Sequence, residues 1–368
     1  MVIPSLDGMR AVAFLLVFLG HAGLPFPPSI VPASFGIPAG FGVTVFFFLS
    51  GYLITTLLRL EMAQHQKINF KHFYLRRVLR IWPPFYLVLG VASLLTALGV
   101  LGGELELPSV LAQALHYCNY WLIAYTAKGM PPGTIVYWSL AVEEHFYLIF
   151  PAFYALLARA KLTGAQQRAI FLALCAASLL WRFVLIRWLG ASFDRTYLAT
   201  DTRFDSMLFG CCLAVCDNPA LDLPKKDRPG VLDLAFLLAG IAALLGSFMF
   251  RDQLFRETIR YTVQGIALYP VFLSVVRFPN WGPFRLLNLR FMKYLGTISY
   301  SLYLVHHMVI IIVDRQALRP ELAGPLALLS AIAISSLMWF ALERPFAALR
   351  KRLTHVDATT ARAARPLA

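Results

Sequence analysis

The first apolar run of the chain reads Leu6-Asp-Gly-Met-Arg-Ala-Val-Ala-Phe-Leu-Leu-Val-Phe-Leu-Gly-His21. It is apolar enough to enter a membrane, yet it carries Arg10 near one end and His21 at the other. On an α-helix the rise between these two residues is roughly 16.5 Å, close to three turns, so they share one face. Polar side chains at membrane depth usually face a protein interior or a wet cavity. The stretch therefore predicts a membrane helix with a polar stripe.

The composition extends this prediction to the whole chain of 368 residues, which is 59% hydrophobic and only 14% charged. Several apolar stretches approach the ~18–20 residues that cross a bilayer, and soluble proteins lack such stretches. We predict an all-α, polytopic transmembrane helical bundle of about ten spans. The predicted spans are 9–25, 39–58, 81–101, 134–157, 169–188, 197–216, 231–250, 259–276, 294–313 and 325–342.

The net charge of +14 comes mainly from short loops between the apolar runs. This distribution follows the positive-inside rule, and it predicts that both termini are cytoplasmic. It also argues against nucleic acid as the partner. We predict a membrane domain over 1–345 and a basic, partly disordered cytoplasmic tail over 346–368. The five cysteines lack disulfide or zinc spacing, and we expect no metal site.

The most basic loop leads into the third predicted span. In its sequence, Arg80 follows Arg76 by four positions and Arg77 by three, so Arg76 or Arg77 forms one cationic helical face with Arg80. One interpretation is an anchor on lipid phosphates. The other is a clamp for a phosphorylated cytoplasmic ligand, since arginine binds phosphate bidentately. In the second span, small residues around Gly51 predict close helix packing, and Ser50 could hydrogen-bond across helices.

The fourth span places three polar side chains, Ser139, Glu143 and Tyr147, on one stripe. Glu143 would lie about 13 Å deep, a level comparable to that of His21, so the carboxylate and the imidazole could meet. The alternative is a structural ion pair, or a carboxylate satisfied by neighbouring hydroxyls. Glu144 and His145 are predicted to face elsewhere.

Two further segments carry polar residues into apolar runs. Asp201, Arg203 and Asp205 open the sixth span, and they indicate either a polar mouth for an acceptor or a local salt-bridge network. The ninth span places Tyr303 three positions before His306. A satisfied core histidine is the alternative to a functional one there.

Taken together, six motifs recur in an order typical of one family. They are Leu6-Asp-Gly-Met-Arg10 with His21, the Gly42 to Gly51 segment, Arg77 with Arg80, Trp138-Ser-Leu with Glu143 and Phe146-Tyr147, Arg203-Phe-Asp205 with Gly210, and Ser299-Tyr-Ser-Leu-Tyr-Leu-Val-His306. The chain resembles acyltransferase family 3, the membrane O-acyltransferases that modify bacterial surface glycans and some antibiotics. The resemblance covers nearly the whole chain.

This resemblance implies a ten-span core in the bacterial cytoplasmic (inner) membrane, an acyl-CoA donor with acetyl as the default acyl group, and a hydroxyl acceptor, often a sugar. It implies a catalytic role for His21, and a donor-binding or activity role for Arg10, Arg77 and Arg80. No permanently bound cofactor is expected. The chain departs from the family at His307 and at Met308, where a proline often follows. We expect a stand-alone form without the SGNH-type domain of some members.

The expected mechanism uses His21 as general base on the acceptor hydroxyl, because histidine titrates near neutral pH. Glu143 would orient the imidazole as the acid does in a catalytic triad. Oxyanion donors could come from Ser139, Tyr147 or Tyr303. Both direct transfer and an acyl-histidine intermediate remain open. The alternative function is a proton-coupled transporter or flippase that uses the buried polar groups without acyl transfer.

Overall fold

The computed structural model describes residues 3–22, 39–224, 226–316 and 318–354, and the regular secondary structure in these ranges is entirely helical. The α-helices are α1 (Leu6–His21), α2 (Ala39–His65), α3 (Phe70–Ala97), α4 (Leu107–Ala114), α5 (Cys118–Tyr125), α6 (Trp138–Arg159), α7 (Gly164–Arg187), α8 (Phe193–Leu198), α9 (Phe204–Val215), α10 (Val231–Met249), α11 (Gln253–Glu257), α12 (Ile259–Arg277), α13 (Arg290–Thr297), α14 (Ser299–Asp314), α15 (Pro320–Met338) and α16 (Arg344–Thr354). Short 3₁₀ turns occupy Ile135–Tyr137, Thr200–Thr202 and Gly282–Asn288.

Seven helices in the described part of the chain are long and apolar enough to cross a membrane. They are Ala39–His65, Phe70–Ala97, Ile135–Arg159, Gly164–Arg187, Val231–Met249, Ile259–Arg277 and Glu321–Leu353. The pair α13 and α14 is bent by 75°, and it makes an eighth span if counted as one. The chain is therefore a multi-pass helical membrane protein, although the predicted count of ten is not confirmed.

The two remaining predicted spans are short. The first corresponds to α1, whose 16 residues rise about 24 Å, and the sixth to α9, whose 12 residues rise about 18 Å. A hydrocarbon core is about 30 Å thick, so neither helix crosses it alone. Residues 23–25 of the first predicted span lie outside the described residues. Every residue of α9 after its first is buried, which means that α9 is a core element surrounded by other helices.

Close approach of α2 to α9 explains the small residues predicted to serve packing. A Cβ added at Gly51 would overlap the Met207 carbonyl of α9, and one added at Gly210 would overlap the Phe48 carbonyl of α2. Both positions must be glycine because the two backbones touch there. The packing role predicted for Gly51 is confirmed.

The last helical segment contains one π-helical turn. A π-helical turn over Trp339–Glu343 separates α15 from α16. The Ser301 hydroxyl of α14 donates to Glu343 Oε1 at 2.5 Å and ties this turn to the bundle. Beyond it, α16 packs against α3. Residues 346–354, predicted to be part of a tail, are thus helical, whereas 355–368 lie outside the described residues.

Candidate active site

A cavity of about 1110 Å³ opens between α2, α3, α6, α14 and α16. Its mouth lies at the turn from α2 to α3, where Lys67 and Asn69 are exposed, and its inner end holds the buried Ser139 and Tyr303. The cationic side chains that line it are Arg10, Lys67, Arg76, Arg77, Arg80, Arg350 and Lys351. The structure thus brings together Arg10, Arg77 and Arg80, which the sequence analysis placed in one donor-binding group.

The arginines are held in different ways. Arg76 pairs with Glu61 at 2.9 Å, and Arg10 forms an ion pair with Asp7 one turn earlier. The Arg77 guanidinium lies 5.1 Å from the centre of the Tyr147 ring and 5.7 Å from that of Phe73. Aromatic faces attract a cation without neutralising its charge. The aromatic rings of Tyr147 and Phe73 thus hold the Arg77 guanidinium beside the cavity.

Glu143 lies in the cavity wall, satisfied by hydroxyl groups. The Ser50 hydroxyl donates to its Oε1 at 2.8 Å, and the Tyr147 hydroxyl lies 3.3 Å from its Oε2. These contacts correspond to the alternative in which neighbouring hydroxyls satisfy the carboxylate, and they confirm that Ser50 hydrogen-bonds across helices. Among the described residues, no hydrogen bond joins Glu143 to His21, because the His21 ring packs against α14 instead.

Two hydroxyl groups meet at the inner end of the cavity. Ser139 Oγ and Tyr303 Oη are 2.6 Å apart, and both also lie within hydrogen-bond distance of the Val136 carbonyl, at 3.2 and 3.0 Å. A carbonyl only accepts, so one of the hydroxyls donates to Val136 while the other donates within the pair. The ring of Tyr303 lies 5.5 Å, centre to centre, from that of His306, which belongs to the histidine pair described next.

His306 and His21 form a hydrogen-bonded pair at the end of α1 that is remote from Arg10. His306 Nδ1 lies 2.7 Å from the Tyr303 carbonyl, and His306 Nε2 lies 3.1 Å from His21 Nδ1. Since the carbonyl accepts, the neutral His306 ring carries its hydrogen on Nδ1 and accepts at Nε2. His21 must then donate from Nδ1. This pattern assigns the lone pair of His21 to Nε2, where it can accept a proton.

The additional histidine of this chain also joins the cluster. The His307 ring centre lies 5.0 Å from that of His21, and its Nδ1 is buried without a hydrogen-bond partner. Three imidazoles in proximity raise the question of a metal site. Within the described ranges, no group of three or more His, Cys, Asp or Glu side chains is arranged to hold a metal ion.

The charges around Asp205 form a local network away from the cavity. Asp205 pairs with Arg182 at 2.7 Å, and both side chains are fully buried. Arg203 is enclosed by aromatic rings, the nearest being Tyr261 at 4.2 Å, and it donates to Thr44 at 3.1 Å. These partners correspond to the salt-bridge alternative, and neither Arg203 nor Asp205 lines the cavity.

The same network satisfies Asp201 and includes a residue that the sequence analysis missed. Burial opposes ionisation of Asp201, but hydrogen bonds from Arg195 and Trp181 outweigh it and lower the pKa of the carboxyl. Arg182 donates to the Thr258 and Thr202 carbonyls as well as to Asp205. A lone arginine within the apolar run of α7 was the available signal, because such a charge needs internal partners.

Three cavity residues were also missed or misassigned. Glu144 lines the cavity, so the prediction that it faces elsewhere is wrong, whereas His145 contacts Thr200 at 2.7 Å and lies outside the lining. Arg350 and Lys351 fall in the segment that was predicted to be a tail. No periodic pattern could place them at the cavity, because the π-helical turn decides where α16 goes.

The protein is a multi-pass helical bundle with a cationic internal cavity, and Tyr303 of the cavity lining contacts the histidine pair. This layout is that of a membrane-embedded group-transfer enzyme. Residues 3–343 match the family model described as an acyltransferase domain. The chain belongs to acyltransferase family 3, as its sequence motifs indicated.

Several curated proteins are similar to this chain. It is 27% identical to the peptidoglycan O-acetyltransferase OatA of Listeria monocytogenes, covering 84% of this chain and 49% of that protein. It is 30% identical to the O-acetyltransferase OatA of Staphylococcus aureus, covering 85% and 51%. It is also 30% identical to the putative peptidoglycan O-acetyltransferase YrhL of Bacillus subtilis, covering 84% and 49%. The chain spans about half the length of these relatives. No solved structure matches it significantly.

Proposed function

We propose that this chain transfers an acetyl group from acetyl-CoA to a hydroxyl group of a glycan at the bacterial cytoplasmic membrane. Membership of the acyltransferase family supports the reaction class. The names of the relatives support acetyl as the group and a cell-wall glycan as the acceptor class. The single observation that carries the proposal is the cationic cavity, whose lining includes Tyr303, the residue whose carbonyl accepts a hydrogen bond from His306 of the His306–His21 pair.

The cavity suits a donor with a charged head and a long arm. Its positive charges, Arg10, Arg77 and Arg80 among them, are complementary to the phosphates of coenzyme A. Apolar side chains such as Phe46, Phe47 and Leu140 line the way inward, where the pantetheine arm would lie. In this arrangement the thioester reaches the Ser139–Tyr303 hydroxyl pair, either member of which can turn a hydrogen toward a developing oxyanion.

Acyl transfer then needs a base for the acceptor hydroxyl. His21 accepts that proton at Nε2, the acceptor oxygen bonds to the thioester carbon, and the C–S bond breaks. The proton passes to the departing CoA thiolate. His306, rather than the expected Glu143, holds the required tautomer of His21. Glu143 remains in the proposed catalytic centre through Ser50 and Tyr147, which line the same cavity. An acyl-histidine intermediate at the same nitrogen would use the same residues.

The test is transfer of label from acetyl-labelled acetyl-CoA to glycan in membranes that contain the protein. We expect transfer with the natural sequence and loss of it, by about 10²-fold or more, in His21→Ala. The variant should reach the membrane in equal amount, which a blot of the membrane fraction checks. Retained transfer in His21→Ala would remove this residue from the mechanism. Movement of a glycan across the membrane without label transfer would support the transporter alternative.

A further inference from the structure

The C-terminal helix α16 presents two of its cations to the donor cavity. Arg350 and Lys351 line the cavity, whereas Arg352, the next residue, does not. Successive residues on an α-helix are rotated by about 100°, so Arg352 points about 200° away from Arg350. Lys351 is exposed and Arg350 is half-buried. The two lining cations therefore belong to the rim of the cavity, near the solvent.

The excess positive charge of the cavity suits an anion that carries more than one phosphate group. Seven cationic side chains line it against three carboxylates, Glu61, Glu143 and Glu144, and Glu61 is already paired with Arg76. Arg350 lies within electrostatic range of both Arg76 and Arg80, so α16 adds positive charge to an already positive region. Like charges brought together in this way destabilise the fold unless an anion binds between them.

The cations are distributed over two levels. Arg10, Arg77 and Arg80 lie on α1 and α3, along the wall shared with Tyr147 and Glu143. Lys67 and Lys351 are at the exposed mouth. Along α16, Arg350 lies about 10 Å beyond Glu343, the residue that Ser301 ties to α14. A ligand that fills the cavity thus meets positive charge twice, once on the wall and once at the rim.

Coenzyme A carries negative charge at two corresponding places. Its diphosphate joins the pantetheine arm to the nucleotide, and a separate phosphate monoester stands on the 3′-hydroxyl of the ribose, at the end remote from the thioester. We propose that Arg350 and Lys351 of α16 bind the 3′-phosphate of the donor, while the wall arginines bind its diphosphate. This inference rests on the proposed function for the identity of the donor. It makes α16 part of the binding site.

The position of α16 at the cavity is fixed by contacts with the rest of the bundle. The π-helical turn over Trp339–Glu343 widens one turn and rotates the following residues relative to those of α15, and such turns are frequent at functional sites. The Ser301–Glu343 hydrogen bond and the packing of α16 on α3 fix the outcome of that rotation. A cation that only anchors the helix to lipid phosphates would need no such alignment with the cavity.

The experiment measures binding of two probes, CoA and 3′-dephospho-CoA, to the purified full-length protein by titration calorimetry in nanodiscs. For the natural sequence we expect CoA to bind about tenfold to 100-fold more tightly, the range for a charge-assisted phosphate contact. In Arg350→Ala/Lys351→Ala the affinity for 3′-dephospho-CoA should equal that of the natural sequence. The affinity for CoA should fall to the same value. Arg352→Ala is the matched control, and it should bind both probes as the natural sequence does.

Lys351→Ala alone is a second variant, because this exposed side chain can be removed without disturbing packing. It should lose part of the preference for CoA. The proposal is overturned if the natural sequence binds both probes equally or neither, or if the double variant keeps the full preference. If the double variant keeps the full preference for CoA, the thermal stability of the protein is compared in nanodiscs of anionic and of zwitterionic lipid. A difference between the two would show that α16 binds lipid headgroups. If the natural sequence prefers CoA but transfers no acetyl label to glycan, only the proposed function is refuted.

Discussion

At the scale of single residues, the imidazole pair is the most informative arrangement. His306 is completely buried, and its two ring nitrogens are occupied by the Tyr303 carbonyl and by His21. A buried histidine can have all its hydrogen bonds satisfied and play no part in function, and this was one of the two interpretations of His306 from the sequence. Here its contacts also determine which nitrogen of His21 carries the hydrogen, so His306 acts as a positioning residue for the proposed base.

Replacing His306 separates this role from packing. In His306→Leu, His21 loses the acceptor for Nδ1 and can adopt either tautomer, so we expect kcat to fall by about 10²-fold while KM for acetyl-CoA stays unchanged. In His306→Gln, the amide can donate to the Tyr303 carbonyl and accept from His21, and part of kcat should return. Steady-state kinetics on purified protein provides both constants. Equal loss in the two variants, or a rise in KM, would contradict the positioning role.

At the scale of helices, the crossing of α2 and α9 holds the bundle together around a helix too short to span a membrane. The two helices approach until glycine is required at Gly51 and Gly210. The buried Arg182–Asp205 pair joins α9 to α7, and Arg182 also donates to Thr262 of α12 at 2.6 Å. Backbone contact and a buried ion pair thus replace lipid contact for α9.

The glycine requirement can be tested with one chemical change at two places. Gly51→Ala puts a methyl group into the Met207 carbonyl, and the helices must separate, which should cost about 1–3 kcal/mol and lower Tm in detergent. Gly90→Ala on α3 is the control, because a Cβ there meets nothing within 4 Å. Gly90→Ala should leave the free energy of unfolding unchanged or raise it by up to about 1 kcal/mol, because alanine has a higher helix propensity than glycine. Equal melting temperatures for the two variants would contradict the close crossing.

At the scale of the whole molecule, charge and shape are arranged asymmetrically. The cations of the cavity mouth lie at the turn between α2 and α3 and on α16. The positive-inside rule predicts that this basic side is cytoplasmic. His21 and His306 lie beyond the opposite, inner end of that cavity. This layout allows a donor to enter from one side of the membrane while the proposed base stands near the other.

The orientation follows from the positive-inside rule and can be measured on the intact chain. We expect a tag fused to the C-terminus to be protected from protease in intact spheroplasts and cleaved after permeabilisation. A tag inserted at the exposed Gly103, between α3 and α4, should be cleaved without permeabilisation. Cleavage of the C-terminal tag in intact spheroplasts would reverse the proposed orientation and place the donor cavity on the outer side.

Much of this protein was determined by its sequence. The length of the apolar runs predicted a helical membrane bundle, because backbone groups in a lipid interior must form their hydrogen bonds within each helix. The spacing of Arg76 or Arg77 with Arg80 indicated a shared cationic face, and all three line the cavity with Arg10. The motifs around His21 and His306 indicated the family without any tertiary information. In each case the signal was local, or was a set of motifs in order.

Only the tertiary structure decided which polar groups meet. Depth along two helices suggested that Glu143 faces His21, but depth does not fix the rotation of one helix against another. The packing turns Glu143 to Ser50 and turns His21 to His306. It encloses α9, although a hydrophobic run cannot distinguish a lipid-facing helix from a core one. It also sets where α16 lies beyond the π-helical turn at Trp339–Glu343, so that Arg350 and Lys351 line the cavity. Such contacts between distant segments depend on helix rotation and crossing, which no local pattern encodes.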